Sequence, residues 1–163
     1  EMHWFEICSS EAYRAHISDF TTRPHDFGPF FRDFLEIGAS VTDEQLAIAS
    51  DKRRQFNHRF EAVLDTVDAI LCPSGGVTFD IPAGIQYGDR ETLQPLFDVA
   101  QMNQTIPADF AGTPTLTVPC GFSANNSPYA FQLMGKCLSE ATLCRIGRAY
   151  EAATEWHLRH PLM

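Results

Sequence analysis

A chain of 163 residues with 44% hydrophobic side chains predicts one globular domain, residues 1–163, with a core of its own. Its net charge of −9 argues against direct binding to nucleic acid, because phosphate binding requires clustered lysine and arginine. The sequence has neither an apolar run long enough to span a membrane nor a signal-peptide pattern, so no membrane partner is expected. Five cysteines, an odd number without paired spacing, favour free thiols and a reducing, cytoplasmic compartment.

The amino-terminal part of the sequence carries two helical patterns. Apolar residues recur at roughly helical spacing over residues 1–20, with Ser9 or Ser10 as the candidate N-cap for the run that follows. Residues 26–38 predict a short helix that is entered through a Gly-Pro pair and ended at Gly38.

Thr42 begins the clearest helix, because Thr42 and Gln45 have the spacing of a capping box. Apolar residues then recur at i+3 and i+4 steps on one face, opposite a charged run at 51–54, so the helix is expected to pack against a sheet. That face consists of Leu46, Ala49, Phe56, Phe60, Val63, Leu64 and Val67. The apolar residues 69–72 predict a strand that is covered on both faces.

A long glycine- and proline-rich connection is predicted over residues 73–94, and long ordered loops are often functional. Its Ser74-Gly75 pair favours an ordinary turn. A short helix is predicted over residues 95–103, with Pro95 in its first turn.

Two strands and a final helix are predicted after this connection. Residues 115–122 are β-branched and apolar, residues 124–127 form a turn cluster, and residues 129–134 resume an extended pattern. The helix is predicted over residues 139–157, with Ser139 as its N-cap. Its predicted buried stripe consists of Leu143, Ile146, Tyr150 and Ala153.

The stretch from Ala108 to Gly135, with the helix that follows, resembles the C-terminal end of the amidase signature family. The family pattern there is Asn-x-x-Gly-x-Pro, a strand ending in Pro-x-Gly, a Gly-x-Pro-x-Gly-x-Gln strand, a glycine, and a helix opening near a glutamate. The residues that match in register are Gly112, Pro114, Pro119, Gly121, Pro128, Gln132, Gly135 and Glu140. The chain departs from the pattern at Asp109, Asn126 and Ala130.

The resemblance extends more loosely upstream, where residues 67–73 resemble the aspartate-led strand of the family that ends in proline. It implies an α/β fold with a mixed β-sheet covered by helices, in which residues 1–163 form the C-terminal part of an amidase domain. It also implies that the connection over residues 73–94 lies near the substrate entrance and shares in specificity.

Enzymes of this family act on amides with a serine nucleophile, a second serine on a cis peptide and a lysine, and the two serines lie in a Gly/Ser-rich signature of the N-terminal half. The nearest string in this chain, Ser74-Gly75-Gly76, lies in the predicted loop. Lys52 lies in a charged helix segment and Lys136 at a strand exit, so neither has the apolar surroundings that a lysine base requires. No catalytic residue and no substrate-binding residue is therefore assigned within the chain.

The resemblance implies no metal and no organic cofactor. His157 and His160 are three residues apart, but no third ligand is evident and Pro161 ends the segment, so surface histidines are expected. Cys72 and Cys120 each end an apolar strand and are expected to be buried as small hydrophobic side chains.

The function expected from the resemblance is that of a C-terminal fragment of an amidase, and the start of the chain at Glu1 rather than at methionine agrees with this. The parent enzyme would hydrolyse carboxylic amide C–N bonds of a small-molecule substrate through an upstream serine. The chain would supply late strands and part of the pocket wall to the upstream half of the same protein, and would be inactive alone.

Two alternatives remain open. One is the glutamine-hydrolysing subunit of a tRNA-dependent amidotransferase, in which the family implies an arginine and an aspartate that hold glutamine. Phe34 and Met102 occupy those positions here, and a charged group buried without its partner is costly, which weakens this alternative. The other is a non-catalytic remnant or binding protein, against which the apolar strand 69–72 argues, because loss of its neighbours would expose apolar edges.

Overall fold

The computed structural model describes residues 3–75, 91, 104–124 and 126–160. The elements in chain order are α1 (Trp4–Thr22), a 3-10 turn (Pro24–Asp26), α2 (Pro29–Ser40), α3 (Asp43–Leu64), β1 (Ile70–Pro73), α4 (Ile106–Ala111), β2 (Thr115–Phe122), β3 (Pro128–Met134), α5 (Glu140–Ala153) and a 3-10 turn (Trp156–Leu158). The helix predicted over residues 95–103 and most of the connection predicted over residues 73–94 lie outside the described residues.

The chain divides into two compact units within α3, between Phe56 and Asn57. The first unit contains α1, α2 and the larger part of α3, and the second contains the end of α3, the three strands, α4 and α5. No helix in the described part of the chain combines the length and the hydropathy that a membrane crossing requires.

Small residues let α1 and α2 pack closely in the first unit. A Cβ atom built on the buried Gly38 would lie 2.6 Å from the backbone carbonyl carbon of Ser9 and 3.0 Å from the Cβ atom of Tyr13. Ser9 itself is fully buried in the interior of α1. The prediction that Ser9 or Ser10 caps this helix is therefore wrong, because the helix begins at Trp4 and Ser9 lies in its interior, with its backbone carbonyl close to Gly38 of α2.

Aromatic rings from α1, α2 and the segment between them contact one another in the first unit. The ring of Phe34 stacks on Phe31 with a centroid separation of 6.1 Å and meets the ring of Phe5 edge-on at 5.4 Å. His16 makes edge contacts with Phe27 and Phe31. We call these five side chains the aromatic cluster; each favourable ring pair contributes about 0.5–1.5 kcal/mol beyond area burial.

Thr42 caps α3 as predicted. The Gln45 N–H donates to Thr42 Oγ1 at 3.2 Å, and the Thr42 N–H donates to Gln45 Oε1 at 2.9 Å, which confirms the capping box. The predicted apolar face is confirmed in part, because Ala49 and Leu64 are buried whereas Val63 is 51% exposed.

Replacing Thr42 by alanine is expected to lower the free energy of unfolding by about 1 kcal/mol, because alanine leaves the Gln45 N–H without its acceptor. Amide exchange in the first turn of α3 would measure this loss. Thr21→Ala is the control, since the Thr21 hydroxyl donates to a carbonyl of its own helix, at Ile17, and the change should cost less than about 0.5 kcal/mol. Equal effects of the two changes would contradict the capping role of Thr42.

Among the described residues, β3 is the central strand of a three-stranded antiparallel sheet with the order β1-β3-β2. Cys72 of β1 and Thr117 of β2 both lie opposite Gln132 of β3. The α/β fold class is confirmed, and the pairs that the described strands form are all antiparallel. β2 has the predicted bounds, and β3 begins at Pro128 rather than at Tyr129.

α5 packs on the sheet through a glycine. Gly147 is buried, and a Cβ atom built on it would contact the side chains of Leu116 and Val118 in β2. The predicted stripe of α5 is confirmed at the buried Leu143 and wrong at Ala153, which is exposed. The buried face of α5 therefore contains Leu143 and Gly147, and Gly147 is the residue that allows the helix to approach the sheet.

β1 lies at an edge of the sheet formed by the described strands. Leu71, in the middle of this strand, is 64% exposed. The prediction of a strand covered on both faces is therefore wrong at Leu71, because no described element packs over this side chain.

Candidate functional site

The carboxyl end of β1 and the turn before α4 are both held by the side chain of Gln132. This residue is 3% exposed, and its Nε2 group donates to the backbone carbonyl of Pro73 at 3.3 Å and to that of Gln104 at 2.7 Å. One carboxamide thus joins two segments that are distant in sequence. We call Cys72, Pro73, Ser74, Gln104 and Gln132 the β1-exit cluster.

The polar groups of Ser74 and Cys72 in the β1-exit cluster are neutral. The Ser74 N–H and hydroxyl both donate to the carbonyl of Ala130, at 3.2 and 3.0 Å, so the hydroxyl is engaged with backbone. The chain bends at Ser74 and Gly75, where the turn was predicted, and Gly76 lies outside the described residues. Burial raises the pKa of the Cys72 thiol above its ordinary value, although a hydrogen bond with Gln132 opposes this. The thiol is therefore protonated near neutral pH, and the cluster is suited to hydrogen bonding rather than to nucleophilic attack.

Gln104 carries an unsatisfied acceptor in the β1-exit cluster. Its side-chain Oε1 atom is buried and has no hydrogen-bond partner among the residues that the structure describes. The residue as a whole is half-buried.

Neither lysine has the surroundings of a catalytic base. Lys52 is exposed on α3, and the Lys136 Nζ atom lies 3.0 Å from Asp65 Oδ1 in an exposed ion pair.

Ser139 stands at the N-cap position of α5, but its hydroxyl donates to the backbone carbonyl of Lys136 at 2.7 Å and makes no capping bond. An open cleft of about 320 Å³ at this point is lined by Asp65, Thr66, Val67, Asp68, Lys136, Ser139 and Thr142.

Replacing Lys136 by methionine is expected to change the free energy of unfolding by less than about 1 kcal/mol, because exposed ion pairs contribute little. The turnover of the full-length protein should be unchanged. Thermal unfolding and an amide-hydrolysis assay would measure the two quantities, with Asp65→Asn as the matched change on the other side of the pair. A large loss of turnover with intact stability would place Lys136 in the catalytic machinery.

The predicted surface position holds for His160, which is exposed, whereas His157 is half-buried. Within residues 3–75, 91, 104–124 and 126–160, no group of three or more His, Cys, Asp and Glu side chains could hold a metal ion. Cys72 and Cys120 are half-buried rather than buried.

The position that would hold a glutamine-binding arginine is aromatic in this chain. Phe34 is half-buried within the aromatic cluster, and Met102 lies outside the described residues. Asp109, which departs from the family pattern, is exposed in the first turn of α4.

The sequence model of the Amidase family matches residues 9–144. The chain belongs to the amidase family. It is 35% identical over 145 residues to a glutamyl-tRNA(Gln) amidotransferase subunit of Cyanothece sp., a match that covers 86% of this chain and 29% of the relative. The corresponding subunit of Chloroflexus aurantiacus is 37% identical over 145 residues, with 86% and 28% covered. The chain thus spans less than a third of the length of these curated relatives.

Solved structures share the fold. The crystal structure of an amidase aligns with a TM-score of 0.73 and 24% identity, over 91% of this chain and 34% of the other. A 6-aminohexanoate cyclic dimer hydrolase aligns with a TM-score of 0.76 and 19% identity, over 99% and 36%. The corresponding glutamyl-tRNA(Gln) amidotransferase subunit from Thermotoga maritima has a TM-score of 0.52 and 30% identity, over 74% and 25%.

Proposed function

We propose that this chain forms the C-terminal part of an amidase that hydrolyses carboxylic amide C–N bonds. The observation that carries the proposal is the match to the Amidase family over residues 9–144. The catalytic serines and lysine would come from residues outside these 163, in the upstream half of the same protein. Within the chain, the Ser74 hydroxyl is hydrogen-bonded to backbone and Lys136 is paired with Asp65. Both observations support a catalytic serine and lysine that lie outside these residues.

In the proposed reaction, the upstream serine attacks the amide carbonyl, the amine leaves, and water hydrolyses the resulting acyl-enzyme. Backbone N–H groups would stabilise the oxyanion at each step. This chain would contribute the late strands and, at the β1-exit cluster, part of the pocket wall. The odd count of five cysteines, without paired spacing, supports a reducing, cytoplasmic setting for this chemistry.

The proposed substrate is a small amide with an apolar acyl or amine group. Phe34 packs against Phe5 and Phe31, so its surroundings suit an apolar group better than the charged ends of an amino acid. The second candidate is the glutamine-hydrolysing subunit of a tRNA-dependent amidotransferase, which the 35–37% identity to amidotransferase subunits favours.

Amine or ammonia release by the full-length protein tests these two proposals. We expect hydrolysis of an aliphatic or aryl amide, and no hydrolysis of glutamine. Hydrolysis of glutamine but not of the other amides would support the amidotransferase. If the protein hydrolyses none of these amides, both proposed functions are contradicted, and a non-catalytic binding protein is the remaining alternative.

A further inference from the structure

Gln132 fixes the backbone of Gln104 from the interior of the second unit. The Nε2 group that donates to the Gln104 carbonyl at 2.7 Å belongs to a side chain that is 3% exposed and sits in the central strand. The same group also donates to Pro73, so a shift of Gln104 would break one bond of a two-bond bridge. The direction in which the Gln104 side chain leaves the backbone therefore depends on Gln132.

The side chain of Gln104 ends in a carboxamide oxygen, Oε1, that accepts no hydrogen bond from the described residues. A carboxamide oxygen can only accept hydrogen bonds, and leaving one buried and unpaired costs about 1–3 kcal/mol. Gln104 Oε1 is in that state among the described residues. The residue as a whole is only half-buried, so this acceptor lies close to the surface of the second unit.

Two of the other buried polar atoms without partners in the described part of the chain, on Thr113 and Asn57, are less suited to a ligand. Thr113 carries a hydroxyl that can both donate and accept, and the amide of Asn57 already donates to the carbonyl of Ala111. Gln104 differs because it belongs to a cluster of neutral groups that is held rigidly by a buried residue. Its free acceptor therefore favours a neutral ligand with an N–H donor.

We propose that Gln104 is a specificity-determining residue whose Oε1 atom accepts a hydrogen bond from the N–H of a carboxylic amide substrate. Gln132 is the positioning residue that holds Gln104 for this contact. The inference rests on the proposed amidase function. It predicts discrimination between a secondary amide and the matching ester, because the ester oxygen has no hydrogen to donate.

The test compares a carboxanilide with the phenyl ester of the same acid as substrates of the full-length protein. In Gln104→Met, kcat/KM for the anilide is expected to fall about tenfold or more, because one hydrogen bond to the substrate is lost. The value for the ester should stay within about threefold, since the ester never makes that bond. An equal fall for both substrates would overturn the proposed contact.

Gln132→Met tests the positioning role, and Ser74→Ala is its matched control within the β1-exit cluster. Gln132→Met should lower kcat/KM for the anilide more than for the ester. The values are calculated per active site, with the number of folded active sites measured by labelling with a serine-directed probe. Ser74→Ala removes the hydrogen bond from the Ser74 hydroxyl to Ala130 and leaves both hydrogen bonds of Gln132. Any change in kcat/KM in this variant should therefore be equal for the anilide and the ester. A loss in Gln132→Met that is equal for both substrates would overturn the positioning role.

A separate measurement distinguishes failure of this inference from failure of the proposed function. If the wild-type protein hydrolyses neither of these substrates and no aliphatic amide, the amidase proposal fails, and the substrate contact of Gln104 fails with it. Amide exchange in Gln132→Met still decides the positioning role. Exchange should rise about tenfold at Ser74 and remain unchanged at Leu143 of α5. A rise at both sites would show general destabilisation and contradict the local role.

Discussion

Replacing Phe110 by alanine is expected to lower the free energy of unfolding of the second unit by about 4 kcal/mol. Phe110 is 2% exposed and is among the largest fully buried side chains of the described residues. Its truncation removes apolar contacts and leaves a cavity, because the short helix α4 is tied at its start through Gln104 and cannot move freely into the space. Amide exchange in β2 and β3 would measure the loss.

Leu158→Ala is the control for the Phe110 change, because Leu158 is 61% exposed and its truncation creates no cavity. We expect a loss below about 0.5 kcal/mol for this variant. Phe110→Leu should fall between the two, since it keeps most of the buried volume. A loss in Phe110→Ala as small as that in Leu158→Ala would contradict the placement of Phe110 in the core.

Replacing Gly38 by alanine is expected to destabilise the first unit by about 3 kcal/mol. The added Cβ would overlap the backbone carbonyl of Ser9, and backbone atoms cannot rotate away as a side chain can. The overlap is relieved only if α1 and α2 separate, which loosens the packing around the buried Leu35 and Ile7. The better helix propensity of alanine offsets only about 1 kcal/mol of this cost.

Gly28→Ala is the matched control for Gly38→Ala. Gly28 is the N-cap of the same helix, its φ of −63° suits any residue, and a Cβ atom there would meet nothing within 4 Å. Amide exchange in α1 and α2 should increase strongly in Gly38→Ala and change little in Gly28→Ala. Comparable exchange in the two variants would contradict the close approach of the helices at Ser9.

The sequence predicted correctly those structural features that depend on residues close together in the chain. The capping box of Thr42 and Gln45 forms because the two partners are three residues apart on one chain segment. The run of β-branched and apolar residues likewise predicted the bounds of β2 correctly. The family pattern around Gln132 was also sufficient to predict the α/β class and the amidase family.

Features that depend on distant contacts could not be read from the sequence. Ser9 has the residue type of an N-cap, but it lies inside a helix, where its backbone carbonyl makes a tertiary contact with Gly38. Leu71 lies in an apolar strand pattern, yet it is exposed at an edge, because a sequence pattern does not identify which strand will be a neighbour.

The hydrogen bonds of the β1-exit cluster were not predicted. Gln132 was matched to the family pattern without a role, although a polar residue within the apolar run 131–134 is a signal that its donors have specific partners. Gln104 carried no sequence signal, because its unpaired acceptor is defined by burial in the folded chain.

The position labelled by a serine-directed probe tests the central claim most directly. The full-length native protein would be treated with the probe, digested, and analysed by mass spectrometry to locate the modified serine. The account predicts a label on a serine upstream of Glu1, within a Gly/Ser-rich stretch, and none on the serines of residues 1–163. A label on Ser74 or Ser139, or on any other serine of this chain, would contradict it.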